Sequence, residues 1–202
     1  FSFSSSALFA GSAGLSLRFQ PGVRMSTYLF DPLPQPALPV VGERRLYPVS
    51  RIFCVGRNYA DHAREMGHEV DREAPFYFTK PASALVHSRE TVPYAPGTRD
   101  LHHEMELVVA IGRPGFRIRR EAAMSHVYGY ACGLDMTRRD LQGIAKQKGR
   151  PWDLGKAFEQ SAIMGPLTQA ADAGPLADKR IALSVNGETR QQAVLADMVW
   201  SV

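Results

Sequence analysis

The sequence predicts an α+β fold that is rich in strands, with helices inserted between them. Short apolar runs of β type recur along the chain from Arg51 onward, and segments bounded by helix-capping residues separate them. The sequence contains no internal repeat and no strand–helix–strand alternation that would indicate a parallel sheet. At 202 residues with 45% hydrophobic content, the chain can bury one sizeable core, so a single domain is expected.

Two segments of different composition precede the predicted domain, which we place at residues 51–202. Residues 1–24 are rich in Ser, Gly and Ala and contain no acid. We expect them to be a disordered leader or non-native upstream sequence ahead of a start at Met25, with a transit peptide as the alternative. Residues 25–50 carry several prolines, which predicts an extended arm rather than a helix.

The first half of the domain is predicted to hold two strands around a helix. RIFCV (51–55) is a short apolar run that ends at Gly56, and FYFTK (76–80) is a second run of β type. Between them, Asn58 can cap a helix whose turns come from YADHAREM, with Gly67 at its end.

The middle of the domain is predicted to be mainly β. HHEMELVVAIG (102–112) is the longest β-like segment, and VYGYACGL (127–134) is another. A short helix is predicted between them at Glu121–Ser125.

A helix and a hairpin are predicted to follow. Thr137, three residues before Asp140, is suited to cap a helix that runs towards Gly149. IALSVNGETRQQ is predicted to form a hairpin that turns at Asn186–Gly187, because this pair suits a type I′ turn.

The overall charge and the cysteines limit the kinds of partner. The formal charge is +4, but Lys and Arg are scattered among 20 acids, so we expect no nucleic-acid surface and a mild attraction for small anions. No apolar run approaches the roughly 18 residues that a membrane span requires. Cys54 and Cys132 lie in apolar stretches without Cys-x-x-Cys spacing, so we expect two buried thiols in a reducing cytosol.

Three carboxylates in β-type segments predict a site for a hard divalent cation. A strand period of two places Glu104 and Glu106 on one face, where neighbouring like charges need a cation or a proton. Asp135 ends an apolar run, where a carboxylate has little structural reason to lie. Ligation by oxygen alone favours Mg²⁺ or Mn²⁺, and allows Ca²⁺, over zinc. The alternative is an exposed strand face with solvated acids.

Two further patterns suggest catalytic groups. His62 and Glu65 are three residues apart on one predicted helix face, and a carboxylate that orients an imidazole raises the basicity that a water-activating base needs. Lys156 lies between two small residues, in a setting where an ammonium could stabilise an oxyanion. By themselves both patterns also fit ordinary surface charges.

Six motifs, in this order, resemble the fumarylacetoacetate hydrolase family. They are CVGRNYADHAREMG, FYFTKPASALV, DLHHEMELVVAIG, GYACGLDMTRRDLQ, KGRPWDLGKAF and LSVNGETRQ, and they cover the chain from about Arg51 to its end. The stretch from Met25 also resembles the short bacterial members that cleave fumarylpyruvate in the catabolism of aromatic compounds. The resemblance implies a β-rich roll with peripheral helices, assembled as a homodimer in the cytoplasm, with Mg²⁺ or Mn²⁺ as cofactor.

The resemblance also implies roles for individual residues. The family's metal ligands match Glu104, Glu106 and Asp135. Its water-activating pair matches His62 and Glu65, and its lysine near the substrate matches Lys156. Five motif positions are expected to face or border the substrate pocket: Arg57, Tyr59, Lys80, Arg139 and Gln142.

The reaction implied by the resemblance is metal-dependent hydrolysis of a C–C bond in an acylpyruvate, a small anionic 2-oxo acid. Fumarylpyruvate would give fumarate and pyruvate. Two alternatives stay open: an oxaloacetate decarboxylase-type lyase that uses the same metal site, and a non-catalytic member of the family. Because relatives continue past the position of Val202 through a further helix, strand and loop, we also expect a roll that is truncated at the C-terminus, less stable and less active than a longer chain.

Overall fold

Strands dominate the described part of this computed structural model, which covers residues 28–59 and 74–202. The strands are β1 (Ala37–Leu38), β2 (Tyr47–Pro48), β3 (Ile52–Val55), β4 (Tyr77–Lys80), β5 (Leu85–His87), β6 (Leu101–His102), β7 (Met105–Ile111), β8 (Val127–Asp135), β9 (Thr137–Arg138), β10 (Ala162–Met164), β11 (Thr168–Gln169), β12 (Arg180–Val185) and β13 (Glu188–Val194). The α-helices are α1 (Arg139–Gln147), α2 (Asp153–Lys156) and α3 (Ala170–Ala173), and 3₁₀ turns span Ala82–Ala84, Arg120–His126 and Leu195–Asp197. The mixture of many strands with few helices confirms the predicted α+β class.

β8 is the central strand of a five-stranded sheet. β7 pairs with one edge of β8 antiparallel, β10 and β11 pair antiparallel with its other edge, and β5 continues the sheet parallel to β10. A Cβ atom at Gly129 would come within 2.3 Å of the Thr168 carbonyl oxygen, so the close approach of β11 to β8 requires glycine there. Because both edges of β8 are paired, its C-terminal end is held firmly inside the molecule.

The hydrophobic core draws on the proline-rich stretch as well as on the sheet. Leu38, Val40 and Val49 are buried with Ile52 and with Leu167, which has no exposed surface. β1 and β2 form an antiparallel pair, and the compact unit that contains them begins at Gln35. Residues 35–50 contain no helix, reverse direction between β1 and β2, and contribute side chains to the core.

The predicted cap of α1 is wrong, although the helix itself is present. Thr137 lies in β9, and α1 starts after Arg138 without a side-chain cap. The Thr137 hydroxyl instead donates to the Asp135 carbonyl oxygen at 3.1 Å and accepts from Lys156 Nζ at 2.7 Å. A buried ammonium is a stronger partner for this hydroxyl than an exposed backbone N–H would be.

The predicted hairpin is confirmed, and one cysteine prediction is wrong. Asn186 and Gly187 have φ values of 53° and 84°, as a type I′ turn between β12 and β13 requires. Cys54 is half-buried, but Cys132 is exposed, because alternate residues of β8 point to opposite faces of the sheet. Both are free thiols.

Among the described residues, no helix has the length and apolar character needed to cross a bilayer. The predicted helix around residues 58–67 lies largely outside the described part of the chain. The described Asn58 pairs its side-chain amide with the backbone of Trp200, with Nδ2 donating at 3.0 Å and Oδ1 accepting at 2.8 Å.

Candidate active site

One cleft of about 410 Å³ brings together most of the side chains that the sequence singled out. It lies at the C-terminal end of β8, between the start of β7, helices α1 and α2, and the β12–β13 hairpin. The predicted residues that line it are Arg57, Tyr59, Glu104, Glu106, Asp135, Arg139, Gln142 and Lys156. His62 and Glu65 lie outside the described residues.

Antiparallel pairing places the three carboxylates on one face of the sheet. Met105 pairs with Leu134 and Glu106 with Gly133, so Glu104 lies opposite Asp135. The Asp135 amide donates to the Glu104 carbonyl oxygen at 2.8 Å, which extends the pairing beyond the start of β7. Residues that are directly opposite share a face, as do residues two apart along one strand. Asp135 therefore lies on the same face of the sheet as Glu104 and Glu106.

Lys156 is a buried cation that links two of these carboxylates. Its Nζ donates to Glu104 Oε2 at 2.6 Å, to Asp135 Oδ2 at 2.7 Å and to the Thr137 hydroxyl at 2.7 Å. Only 2% of the residue is exposed. Helix α2 is short, and its C-terminus carries Lys156 towards the end of β8. All three ammonium protons are therefore used inside the cleft.

Helix α1 contributes a guanidinium to the same group. Arg139 Nη2 forms an ion pair and hydrogen bond with Glu104 Oε1, and Arg139 Nη1 donates to Gln142 Oε1 at 2.5 Å. The two residues are three apart on the first turn of α1, so their side chains share a helix face. Glu104 thus has a different cation on each of its oxygens.

Glu104 and Glu106 have opposite electrostatic environments. Burial raises the pKa of Glu104, but the positive charges of Lys156 and Arg139 outweigh it and hold the pKa below its ordinary value. Burial raises the pKa of Glu106 to about 8, and the negative charges of Asp135 and Glu104 add to this effect. No ion pair to Glu106 occurs among the described residues. Glu106 is therefore the carboxylate that most needs a cation.

Tyr59 and Arg57 lie where the chain leaves β3. Tyr59 Oη is buried without a hydrogen-bond partner in the described structure. Burial, followed by the negative charge of Glu106, raises its pKa to about 12, so the phenol is a neutral donor. Arg57 has a positive φ of 55°, and its guanidinium lies 5.6 Å from the centre of the Phe76 ring. The exposed guanidinium of Arg57 and the unpartnered hydroxyl of Tyr59 therefore line the same cleft as the three carboxylates.

Lys80 is the one described candidate that does not line the cleft. It borders a second, more apolar cavity of about 360 Å³, and only 1% of its side chain is exposed. Its Nζ forms an ion pair with Asp135 Oδ1 at 2.8 Å. The same Nζ donates hydrogen bonds to the carbonyl oxygens of Met136 and Lys156.

The carboxylates fit a hard divalent cation in their chemistry. Glu104, Glu106 and Asp135 offer only oxygen donors, which Mg²⁺ and Mn²⁺ prefer. Within residues 28–59 and 74–202, no three or more His, Cys, Asp or Glu side chains are arranged to hold a metal ion. Lys156 occupies the position between Glu104 and Asp135, so a divalent cation bound there would compete with this ammonium.

The β12–β13 hairpin contributes cleft residues that the sequence analysis did not identify. Arg190, Gln191 and Gln192 line the cleft, and Gln191 Oε1 accepts from the Met105 amide at 2.9 Å. This hydrogen bond attaches the hairpin to β7 at Met105, which lies between Glu104 and Glu106. Met105 and Gln191 are 86 residues apart, so no local sequence pattern predicted their contact, although the motif LSVNGETRQ contains Arg190 and Gln191.

Comparisons with known proteins show which family and which solved structures this chain resembles. The family model described as "Fumarylacetoacetate (FAA) hydrolase C-terminal" matches residues 51–202. A fumarylpyruvate hydrolase from Ralstonia is 48% identical over 140 residues, which are 68% of this chain and 72% of that protein. The oxaloacetate tautomerase YcgM of Escherichia coli is 41% identical over 157 residues, 77% of this chain and 71% of that protein. The crystal structure of a fumarylpyruvate hydrolase from Pseudomonas aeruginosa, in complex with Mn²⁺ and pyruvate, matches with a TM-score of 0.82 and 47% identity over 87% of this chain and 77% of that one.

Proposed function

The chain belongs to the fumarylacetoacetate hydrolase family, and we propose that it hydrolyses the C–C bond of an acylpyruvate, with fumarylpyruvate as substrate. The observation that carries this proposal is the convergence of Glu104, Glu106 and Asp135 with two cations in one cleft. The 48% identity to a fumarylpyruvate hydrolase supports the choice of acyl group. The reaction would belong to the catabolism of aromatic compounds.

Glu104, Glu106 and Asp135 would hold the metal, with Mn²⁺ or Mg²⁺ as the physiological ion. Mn²⁺ and pyruvate are present together in the structure of the Pseudomonas relative, which supports this assignment. A divalent ion at this position supplies Lewis acidity, which stabilises negative charge on the oxygen atoms of a 2-oxo acid. The raised pKa of Glu106 adds to the support, because burial and the negative charges of Asp135 and Glu104 raise it and a divalent cation beside this carboxylate would offset both.

The residues around the carboxylates have complementary roles in the proposed reaction. Arg139 and Arg57 would bind the substrate carboxylates, since a guanidinium offers paired donors to a carboxylate. Gln142 and Tyr59 would donate neutral hydrogen bonds, and the unpartnered Tyr59 hydroxyl has the capacity to do so. Lys156 would stabilise the oxyanion that forms when water adds to the distal carbonyl carbon.

The bond changes follow from this arrangement. We propose that His62, oriented by Glu65, takes a proton from the attacking water, whose oxygen bonds to the acyl carbonyl carbon. The C–C bond between that carbon and the methylene group then breaks. Its electron pair goes to the enolate of pyruvate, which is protonated on carbon to give pyruvate. Water is consumed, and the acyl group leaves as a carboxylic acid.

The proposal is tested by incubating the purified chain with fumarylpyruvate, acetylpyruvate and oxaloacetate, each with Mn²⁺, with Mg²⁺ or with a chelator. We expect metal-dependent cleavage of fumarylpyruvate in preference to acetylpyruvate. His62→Ala should abolish hydrolysis, whereas a lyase reaction on oxaloacetate that needs no water would survive it. Cleavage of oxaloacetate alone, with fumarylpyruvate untouched, would contradict the proposal.

A second candidate activity is keto–enol isomerisation of oxaloacetate. The observation in its favour is the 41% identity to an oxaloacetate tautomerase. Tautomerisation and acylpyruvate cleavage both pass through negative charge on a 2-oxo acid, so the same carboxylates and Lys156 could serve either. Decay of enol-oxaloacetate in the same buffers, without release of CO₂ or of an acid, distinguishes the isomerase.

Two properties of the molecule support proposals about its assembly and compartment. One face of the β3–β4 pair is apolar and exposed, with Phe53 and Tyr77 each 59% accessible, which supports an interface with a second copy in a homodimer. Light scattering coupled to gel filtration tests the dimer. Both cysteines are free thiols, which supports a reducing compartment such as the cytoplasm.

A further inference from the structure

We propose that Lys80 is a positioning residue, which fixes Asp135 and the backbone of Lys156 and makes no contact with substrate. This inference rests on the proposed function, because it assigns the side chain that supports the proposed metal ligand and the oxyanion-stabilising lysine. It differs from the expectation that Lys80 binds substrate, which came from the position of the residue within its motif.

The contacts of Lys80 join three elements of the fold. Lys80 ends β4, and its Nζ donates to the carbonyl oxygens of Met136, at 3.0 Å, and of Lys156. The same Nζ is paired with Asp135 Oδ1 at 2.8 Å. One ammonium therefore connects the end of β4, the end of β8 and the end of α2.

Lys80 makes these contacts from the second cavity and does not line the cleft. Asp135 directs Oδ2 to Lys156 Nζ at 2.7 Å, and Lys80 holds the other oxygen. Lys80 binds Lys156 through its backbone, whereas the Lys156 ammonium lies among the cleft carboxylates. Lys80 can therefore fix the orientation of both groups without occupying the space that a substrate would fill.

The burial of Lys80 is itself an argument for a specific role. An ammonium with 1% of its side chain exposed has lost its water, which is costly unless every donor is satisfied. Here two carbonyl oxygens, a carboxylate and the Phe158 ring, whose centre is 5.5 Å away, replace the water. A methionine at this position would fill a similar volume without the charge. Groups that orient a metal ligand from behind commonly change metal affinity by about 10- to 100-fold when they are removed.

The test is Lys80→Met, with Mn²⁺ binding measured by calorimetry in the absence of substrate and steady-state kinetics measured at saturating Mn²⁺. We expect Mn²⁺ affinity to fall by about 10-fold or more, following the usual effect of such groups. At saturating Mn²⁺, kcat should fall because Lys156 loses its anchor, while KM for fumarylpyruvate stays within about threefold of the parent. A residue that binds substrate would instead raise KM and leave Mn²⁺ affinity unchanged.

Three companion variants separate this role from general stability. Lys148→Met removes an exposed lysine at the end of α1 and should change neither Mn²⁺ affinity nor kcat. Val86→Ala destabilises the core at a buried site in β5 and should lower the melting temperature without lowering Mn²⁺ affinity. If Lys80→Met does not fold, Lys80→Gln, whose amide can still donate to a carbonyl oxygen, carries the same two measurements.

The outcomes distinguish this inference from the proposed function. If the parent chain does not bind Mn²⁺, the proposed function fails and the assignment of Lys80 falls with it. If the parent binds Mn²⁺ but the Lys80 variants bind it equally well or more tightly, the inference alone is overturned. A raised KM at saturating Mn²⁺ with unchanged metal affinity also overturns it, in favour of substrate contact.

Discussion

Replacing Gly155 by alanine should push α2 away from α1 and displace Lys156. A Cβ atom at Gly155 would lie 2.9 Å from the Gln142 backbone nitrogen and 3.0 Å from both Cα and Cβ of Gln142. Ordinary contacts between such atoms are about 4 Å, so the helices must separate by roughly 0.5 to 1 Å. Because two of the three atoms belong to the backbone of α1, no side-chain rotation can relieve the clash.

Two opposing terms decide the effect of Gly155→Ala on stability. Alanine gains about 1 kcal/mol over glycine in a helix interior, but overpacking of this kind costs about 1 to 3 kcal/mol. The clash should dominate, since α2 has only four residues and little helix to stabilise. Each kcal/mol lowers the melting temperature of a chain of this size by about 2 to 4 °C. Displacement of the adjacent Lys156 should also lower kcat by about 10-fold or more.

The assay compares thermal unfolding by circular dichroism and kcat for the parent, Gly155→Ala and Gly143→Ala. Gly143 is the matched control for stability, because it lies in α1 and an added Cβ meets nothing within 4 Å. Gly143→Ala should raise the melting temperature and Gly155→Ala should lower it. If both substitutions stabilise the protein equally, and Gly155→Ala retains the parent kcat, the packing argument for Lys156 is refuted.

Three further predictions concern charge, backbone and thiols. In chelating buffer, burial and neighbouring negative charges raise the pKa of Glu106 from 4.5 to about 8. The contribution of this carboxyl group to stability is therefore fully present below pH 4.5 and is lost as the pH rises through about 8. Glu106→Gln should therefore flatten the fall in unfolding free energy between about pH 4.5 and 8, and an unchanged slope in urea titrations would contradict this. Gly187→Ala forces an L-residue to a φ of 84° and should destabilise the protein by about 1 kcal/mol or more, whereas an unchanged urea midpoint would show that the turn tolerates a side chain. At pH 8 the exposed Cys132 should react rapidly with a thiol reagent, while Cys54, whose pKa burial raises to about 12, should react only on unfolding. Loss of the rapid phase in Cys132→Ser confirms the assignment, and two rapid phases in the parent would refute it.

Local patterns in the sequence predicted the elements whose structure depends on local chemistry. The type I′ turn at Asn186–Gly187 follows from two residues that tolerate positive φ, and β3 and β8 follow from apolar runs. The same-face relation of Glu104 and Glu106 follows from strand periodicity. The inclusion of Asp135 on that face depends on the register of β7 with β8, which periodicity alone does not determine.

The errors and omissions come from contacts between residues that are distant in sequence. Thr137 has the spacing of a helix cap, but Lys156, buried beside it, binds its hydroxyl instead. Cys132 lies in an apolar run, yet it is on the open face of β8. Gln191 reaches Met105 only because the hairpin folds back over β7.

In the proposed reaction, water cleaves the substrate at its distal carbonyl and the metal is required. The most direct measurement is mass spectrometry of the products formed from fumarylpyruvate in ¹⁸O-labelled water, with Mn²⁺ and with a chelator. We predict fumarate that carries ¹⁸O in a carboxylate group, together with an equal amount of pyruvate, in the Mn²⁺ reaction only. Unlabelled fumarate, or the same rate of cleavage with chelator, would contradict the account.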